Sequence, residues 1–256
     1  LGWTKYSAAV ENSTKVPWKE HWEDWFPGCS ISVVDGGPQA RQKALRPGSD
    51  VYIIHWDALM YHSRLAPHGN IRLAKCKQCD RKSGDANLKP SRCEVHPKEL
   101  NTIPFRSMIV DEAHRMKNPE AKRTRALWAV MRGDYVRYCY ALSGTAIADN
   151  PGDLWPIMHG LHPAEYPTLT SFKARYCLQT WNYTGDLVVI GLNPAVRHEF
   201  FGFFDARFRR MPKALVLSHL PPIVYETRVC EMTAKQATAY KQMKKHLMAE
   251  VGGPQG

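Results

Sequence analysis

No stretch of this chain approaches the ~20 consecutive apolar residues of a membrane-spanning helix, so no membrane partner is expected. Leu1 to Gly28 has no uninterrupted apolar core, which excludes a secretory signal peptide in that segment. Internal repeats and low-complexity tracts are also missing, so a repeat array is not expected. Acidic residues are scarce: 24 Asp and Glu stand against 35 Lys and Arg, a formal net charge of +11. That deficit favours a polyanionic partner, because each phosphate neutralised by a cation releases counterions. A basic surface without such a task has the same composition. The 7 cysteines are an odd number in a chain large enough to fold without disulfides. The expected setting is a reducing, intracellular one in which thiols stay free or bind metal. That means a bacterial or phage-infected cytoplasm, or the nucleus of a eukaryote.

What is present describes a globular α/β protein. A hydrophobic fraction of 44% with 11% aromatics is enough for a real core, and 256 residues suit one large domain or two modest ones. The runs Ile31-Ser32-Val33-Val34, Val51-Tyr52-Ile53-Ile54 and Ser107-Met108-Ile109-Val110 read as strands buried on both faces. Pro17 to Phe26 and Glu120 to Met131 are spaced for one-sided helices. Strands alternating with helices predict a parallel sheet covered on both sides, with ligands at the carboxyl ends of its strands. Arg64 to Asn101 breaks this texture, being polar and rich in Gly and Pro, and reads as an insertion. Beyond Leu161 the chain turns aromatic and basic, through Phe200 to Phe208 and Arg209-Arg210, and Leu220-Pro221-Pro222 closes that segment. The aromatic run is expected to pack as a helix face. Thr233 to Ala249 is predicted helical with its lysines solvated, and Gly252-Gly253-Pro254 reads as a turn.

Two short motifs carry chemistry. Asp111-Glu112-Ala113-His114 directly follows the strand Ser107–Val110. An aspartate at a strand's carboxyl end can hold Mg²⁺ through water while the adjacent glutamate polarises an attacking water. A polar turn after a strand has the same sequence. Leu142-Ser143-Gly144-Thr145 follows the short strand Tyr138-Cys139-Tyr140 and supplies two hydroxyls at the sheet edge. Such a turn can hydrogen-bond the carboxylate motif. A third cluster is Cys76-x2-Cys79-x13-Cys93-x2-His96, whose paired knuckles suit tetrahedral Zn²⁺. Lys75, Lys77, Arg81, Lys82, Lys89, Arg92 and Lys98 surround it, and His62 and His68 are the alternatives to His96. Four protein ligands leave no open position, so the expected metal is structural.

Together, the two chemical motifs and their spacing resemble the Snf-type (Swi/Snf-related) branch of superfamily-two helicases, which translocate on duplex DNA. The second motif of that family is similar to Asp111 through Asn118, and the third to Leu142 through Ile147, continuing through Asn150-Pro151 to Leu154-Trp155. Trp18 and Trp25-Phe26-Pro27-Gly28 resemble the helix after motif Ia, and Val51 to Leu59 the next strand. Phe172 with Arg175-Tyr176-Cys177 is similar to the helical protrusion, closest to the annealing-helicase subgroup. His21 replaces the usual acidic residue, and the Arg209-Arg210 brace contains Pro212 and is about one residue longer than usual. The resemblance implies a RecA-like parallel sheet covered by helices, spanning 1–161, with a zinc-ribbon insertion at 64–101. It further implies a helical protrusion and brace at 162–222 and the beginning of a second lobe at 223–256.

The resemblance also implies roles. Asp111 would hold Mg²⁺ and Glu112 would activate water. His114, Ser143, Gly144 and Thr145 would couple hydrolysis to movement. Arg115, Lys117 and Asn118 would support the site or meet DNA. ATP, Mg²⁺ and Zn²⁺ are the expected cofactors, and double-stranded DNA the expected partner. No Gly-x-x-x-x-Gly-Lys-Ser/Thr loop occurs in the chain, and in this family that loop precedes motif Ia. The chain is therefore expected to be part of a longer motor, inactive alone, with the remainder of that motor as a partner. Two other readings stand beside it: a non-catalytic DNA-binding zinc module derived from such a lobe, and an RNA helicase of the Asp-Glu-Ala-His class.

Overall fold

The computed structural model describes residues 5–79, 92–147, 149–209, 211 and 226–251. They fall into two compact units, Leu1–Arg207 and Phe208–Gly256. Unit one is built on a five-stranded, all-parallel sheet of β1 (Tyr6–Val10), β2 (Ile31–Val34), β3 (Val51–His55), β4 (Ser107–Val110) and β5 (Tyr138–Ala141). Their spatial order is β2-β3-β1-β4-β5. Connecting helices include α1 (Lys15–Trp25), α2 (Pro38–Ala44), α3 (Leu59–His62), α4 (Glu99–Thr102) and α5 (Lys122–Met131).

The central strand is the one sequence patterning passed over. Tyr6-Ser-Ala-Ala-Val10 has no β-branched run, yet Ser7, Ala8, Ala9 and Val10 are essentially without solvent contact. Small residues belong there because large ones cover them. Ala8 and Val10 form one cluster with Val51, Ile53 and Trp22, and Trp18 packs against it. The α1 indoles fill the volume that the alanine leaves. β3 and β4 match the expectation of strands buried on both faces, except that Ile109 and His55 are half-buried. β2 departs from it: Ile31, Ser32 and Val33 are half-buried, because β2 is an edge strand with a neighbour on one side only. β5 is the other edge, and Tyr138 and Tyr140 lie exposed on it.

A second apolar layer centres on α5. Trp128 meets Trp155 edge-on at 5.8 Å between ring centroids, and its indole N–H donates to Pro156 O at 3.0 Å. Trp155 begins α6 (Trp155–Leu161), where a Cβ on Gly160 would come within 3.1 Å of Trp128 and Met116. Glycine there lets α6 approach the indole. Arg125 is buried and uses its Nε–H to bind Ala66 O at 2.9 Å, fastening the start of the 64–101 insertion to α5.

The segment expected to be a helical protrusion contains α7 (Leu169–Tyr176) and α8 (Arg197–Arg207), and between them an antiparallel hairpin, β6 (Cys177–Trp181) and β7 (Leu187–Leu192). Its tip is organised by Asn182, whose Oδ1 accepts from the amides of Thr184 and Asp186 at 3.0 and 2.7 Å, with Gly185 at positive φ. Arg175 and Glu199 join α7 to α8 through two hydrogen bonds of 2.9 Å. Of the aromatic run, Phe200 is buried and Phe201 is 47% exposed, so core packing holds for the first residue and not the second. The side chains of Phe203 and Phe204 lie outside the described residues, as do Arg210, Pro212 and Leu220-Pro221-Pro222.

Among the described residues of unit two is one long helix, Ala234–Val251, opened by Thr233 and Gln236: the Thr233 amide donates to Gln236 Oε1 at 3.0 Å. Lys235, Lys241 and Lys244 are exposed on it, while the Lys245 side chain and Gly252-Gly253-Pro254 lie outside the described residues. No helix among the described residues is long and apolar enough to cross a membrane. Replacing Trp128 with alanine should destabilise unit one by about 3–5 kcal/mol, because it empties a buried indole site and orphans Pro156 O. Urea unfolding monitored by far-ultraviolet circular dichroism checks this, and a loss below ~1 kcal/mol would contradict the packing described.

Candidate functional site

The carboxyl edge of the sheet gathers a row of polar and charged side chains, one strand at a time. Glu11 follows β1, Asp35 follows β2, His55 ends β3, Asp111 follows β4 and Ser143 comes two residues after β5. Parallel strands all deliver their following residues to the same edge, so this convergence is a consequence of topology.

Asp111 extends the β1–β4 pairing by one step, its amide donating to Ala9 O at 2.8 Å. Its carbonyl accepts from Trp56 Nε1–H at 3.0 Å. Its carboxylate accepts from Trp18 Nε1–H at Oδ2 (2.9 Å) and from the Glu112 amide at Oδ1 (3.0 Å). The chain then reverses. Glu112 has φ 49° and ψ 51°, the one non-glycine residue with positive φ among the described residues. An L-residue held left-handed costs roughly 1–2 kcal/mol, a strain that persists only where surrounding contacts fix it. Here they do, because the next amide, that of Ala113, donates to Leu142 O at 2.8 Å and ties the turn to the end of β5.

His114 lies between the two motifs. Its Nδ1 is 3.1 Å from Glu112 Oε2 and 3.2 Å from Ser143 Oγ. Ser143 Oγ also accepts from the Thr145 amide at 3.2 Å, closing the Ser-Gly-Thr turn, and a Cβ on Gly144 would meet nothing within 4 Å. Arg115 reaches back to Glu11 at 3.1 Å. Lys117 forms an exposed pair with Asp149 at 3.3 Å. Asn118 Oδ1 accepts from the Glu120 amide at 2.9 Å and so shapes the turn into α5. Asp111, Glu112, His114, Ser143 and Thr145 are thus brought together, with Arg115 beside them, whereas Lys117 and Asn118 face local partners. Sequence reasoning named no role for Trp18, Trp56 or Glu11. The available signal was Trp56, directly after the strand-like run of β3, where a polar N–H needs an acceptor; Trp18 lies within α1 and carried no such signal.

At the β2 side, Lys15 is only 5% exposed and its ammonium lies 2.7 Å from Asp35 Oδ1. That hydrogen bond, with the Gly36 amide, holds the Asp35 carboxyl below the usual range. Burial, then the Lys15 charge, pushes the nearby His55 imidazole down.

The Cys/His cluster is assembled on the insertion. The ligand atoms of Cys76, Cys79, Cys93 and His96 all lie within 4.8 Å of one another. Cys76 Sγ is 3.2 Å from His96 Nδ1, and Cys79 Sγ is 3.6 Å from Cys93 Sγ. Ligands at ~2.0–2.3 Å from a tetrahedral zinc are spaced about 3.3–3.8 Å apart, so the donor set fits that ion. Burial first, then the neighbouring Cys93 and Cys76 thiols, pushes the Cys79 thiol up to about 11. Burial opposes ionisation of Cys93 as well, but hydrogen bonds from the His96, Val95 and Cys76 backbone outweigh it and bring that thiol down to about 6. His62 and His68 lie elsewhere. His62 is buried between Glu99 (3.3 Å) and Arg41 (3.2 Å), and His68 packs on Trp128 and Trp155. Of the surrounding cations, Lys98 donates to Met60 O at 3.3 Å, and Arg81, Lys82 and Lys89 lie outside the described residues.

Residues 10–255 match the family model described as the SNF2-related domain. The chain belongs to the SNF2-related family. It is 30% identical over 203 residues to the SWI/SNF chromatin-remodeling complex subunit snf22 of Schizosaccharomyces pombe, covering 75% of this chain and 12% of that protein. It is 27% identical over 253 residues to the chromatin structure-remodeling complex subunit snf21 of the same organism, covering 94% and 18%. To the DNA annealing helicase and endonuclease ZRANB3 of Mus musculus it is 26% identical over 224 residues, covering 84% and 17%. This SNF2-related segment therefore spans less than a fifth of those relatives. The Sulfolobus solfataricus SWI2/SNF2 ATPase core in complex with dsDNA superposes with a TM-score of 0.56 at 19% identity, covering 99% of this chain and 44% of that one. The fold is accordingly a RecA-like α/β motor lobe of the Snf2 type.

The Lys15–Asp35 pair predicts a pH effect of definite sign. Because the folded Asp35 carboxyl is depressed, its stabilisation is present above the unfolded carboxylate value near ~4 and is lost as pH falls through the folded value. Asp35→Asn should lower stability at pH 7 and flatten its decline as the pH falls below about 4. Unfolding midpoints compared across that range test it, and parallel pH curves for the two proteins would refute the assignment.

Proposed function

We propose that this SNF2-related lobe supplies the metal-and-water side of a DNA-dependent ATPase that moves along or remodels duplex DNA. The observation that carries the reading is the bridge His114 makes between Glu112 and Ser143. It joins the Asp111-Glu112 carboxylates to the Ser143-Gly144-Thr145 turn at the edge where a parallel α/β sheet binds its ligands. Asp111 suits Mg²⁺ held through water, since each carboxylate oxygen accepts one N–H and keeps further acceptor capacity. The ion, when bound, would neutralise charge on the transferring phosphoryl group. Glu112, whose backbone is left-handed and whose carboxylate lies 3.1 Å from His114 Nδ1, orients the attacking water and takes up its proton. A change in Glu112 then reaches Ser143 and Thr145 through His114, a physical route from hydrolysis to lobe movement. Arg115 supports the site through Glu11, and the exposed Lys117 is free of the sheet to meet a DNA phosphate.

The +11 charge and the relatives' names support duplex DNA as the partner, within an intracellular setting and the nucleus of a eukaryotic host. A phosphate-gripping loop and an opposing lobe come, in this reading, from the remainder of the same motor. The chain alone should show negligible ATPase activity, and joining it to such a loop and a second lobe should restore turnover stimulated by duplex DNA more than by RNA. Asp111→Asn in that assembly should lower kcat by at least about two orders of magnitude. Robust DNA-stimulated hydrolysis by the 256 residues alone, or preferential stimulation by RNA, would overturn the proposal.

We further assign Cys76, Cys79, Cys93 and His96 to one structural Zn²⁺, which would cross-link the two knuckles of an insertion with few apolar groups of its own. The purified chain should contain close to one equivalent of zinc, and Cys76→Ser should reduce it sharply. Zinc far below one equivalent and unchanged by that substitution would refute the assignment.

A further inference from the structure

We infer that Trp18 is a positioning residue for the site, its indole N–H fixing the orientation of the Asp111 carboxylate. The inference rests on the reading of Asp111 as the residue that holds Mg²⁺ through water.

Three N–H groups reach Asp111, and they do different work. Trp56 donates to its backbone carbonyl and so secures the strand end. The Glu112 amide donates to Oδ1 from the adjacent peptide, a contact any non-proline residue in that turn could supply. Trp18 is the partner that takes a carboxylate oxygen from another element, 93 residues away along the chain, at 2.9 Å. Its ring is half-buried against the Ala8, Val10, Trp22, Val51 and Ile53 cluster, so packing on its faces sets the direction of the N–H.

An ionised carboxylate has roughly four acceptor sites on two oxygens. With one taken on each oxygen, the remaining sites point in fixed directions. Mg²⁺ demands near-octahedral geometry and keeps several waters, so a carboxylate that holds it through water must present its lone pair in one orientation. A charge-assisted N–H bond from a packed indole provides that restraint. Phenylalanine at position 18 keeps most of the ring contacts and cannot donate. The carboxylate could then rotate, and a metal-bound water would lose its oriented acceptor. Outer partners of this kind change metal affinity by about 10–100-fold.

Two measurements test the inference. In ¹H–¹⁵N spectra of the whole chain, the Trp18 indole resonance, identified by its loss in Trp18→Phe, should shift markedly in Asp111→Asn, and the Trp56 indole should shift less. In the assembled motor with a non-hydrolysable ATP analogue, Trp18→Phe should weaken Mn²⁺ binding, read by electron paramagnetic resonance, about tenfold. In the same variant kcat should fall while KM for ATP at saturating metal stays within about twofold and the unfolding midpoint is little changed. An unmoved Trp18 resonance in Asp111→Asn, or unchanged Mn²⁺ affinity in a folded Trp18→Phe, overturns the inference. If Asp111→Asn abolishes turnover while Trp18→Phe alters nothing, the positioning role alone fails. If Asp111→Asn leaves turnover intact, the metal reading beneath it fails.

Discussion

Much of this lobe hangs on the parallel pairing of β1 with β4, which continues past the last strand residue through the Asp111 amide and Ala9 O. That pairing puts Asp111 at the middle of the sheet rather than on an edge, with β3 and its following Trp56 on the far side of β1. From there the carboxylate lies within reach of α1, the connection leaving β1, and of the turn leaving β5. Each contact around the candidate site follows: Trp18 from α1, Trp56 from beyond β3, Leu142 and Ser143 from beyond β5. A slip of one residue in the β1–β4 register would exchange the faces on which the β1 side chains pack and carry Asp111 away from its indole partners.

The left-handed Glu112 is the local cost of this arrangement. Strain of that kind endures because the Ala113 amide is bonded to Leu142 O and the Glu112 side chain to His114, so relaxing φ would break contacts on both sides. The consequence is chemical as well as geometric. Two adjacent carboxylates in an extended strand would point to opposite faces of the sheet, whereas the reversal at Glu112 keeps both at one edge, with Asp111 toward α1 and Glu112 toward the Ser143 turn.

The insertion is joined to the same core from another direction. Glu94, next to Cys93, accepts from the Ala74 amide and pairs with Lys122 at 2.6 Å, and its backbone carbonyl accepts from Leu65. Lys122 opens α5, the helix that follows the Asp111–Asn118 segment, and buried Arg125 in that helix holds Ala66. The Cys/His cluster is therefore anchored to the helix that packs Trp128 against Trp155, and the insertion is a braced extension of the lobe.

Much of the architecture is legible in the order of residues alone. The β-branched runs marked β2, β3 and β4, because such residues read plainly in strands with covered faces. Spacing marked α1 and α5 as helices, although α5 is buried all round from Thr124 to Met131 and not on one side, because it lies between the sheet, the insertion and α6; the knuckle spacing marked the four residues that come together as a cluster. Residue order also placed Asp111-Glu112 after a strand and Ser143-Gly144-Thr145 after another, since a turn at a strand's carboxyl end is a local property. What it did not reveal depended on contacts between distant segments. β1 was missed because Ser7, Ala8 and Ala9 carry no strand signal of their own; Ala8 leaves room for Trp18 and Trp22 on its face of the sheet, a fact about packing. The β6–β7 hairpin lies in a segment for which the family resemblance implied a helical protrusion, and no strand was read there. The choice of His96 over His62 and His68 needed the buried partners of those two histidines. Above all, Asp111 is held by two indoles from 93 and 55 residues away, Trp18 at a carboxylate oxygen and Trp56 at the backbone carbonyl. Hydrogen bonds of that range are set by strand order, and strand order is decided only when the sheet assembles.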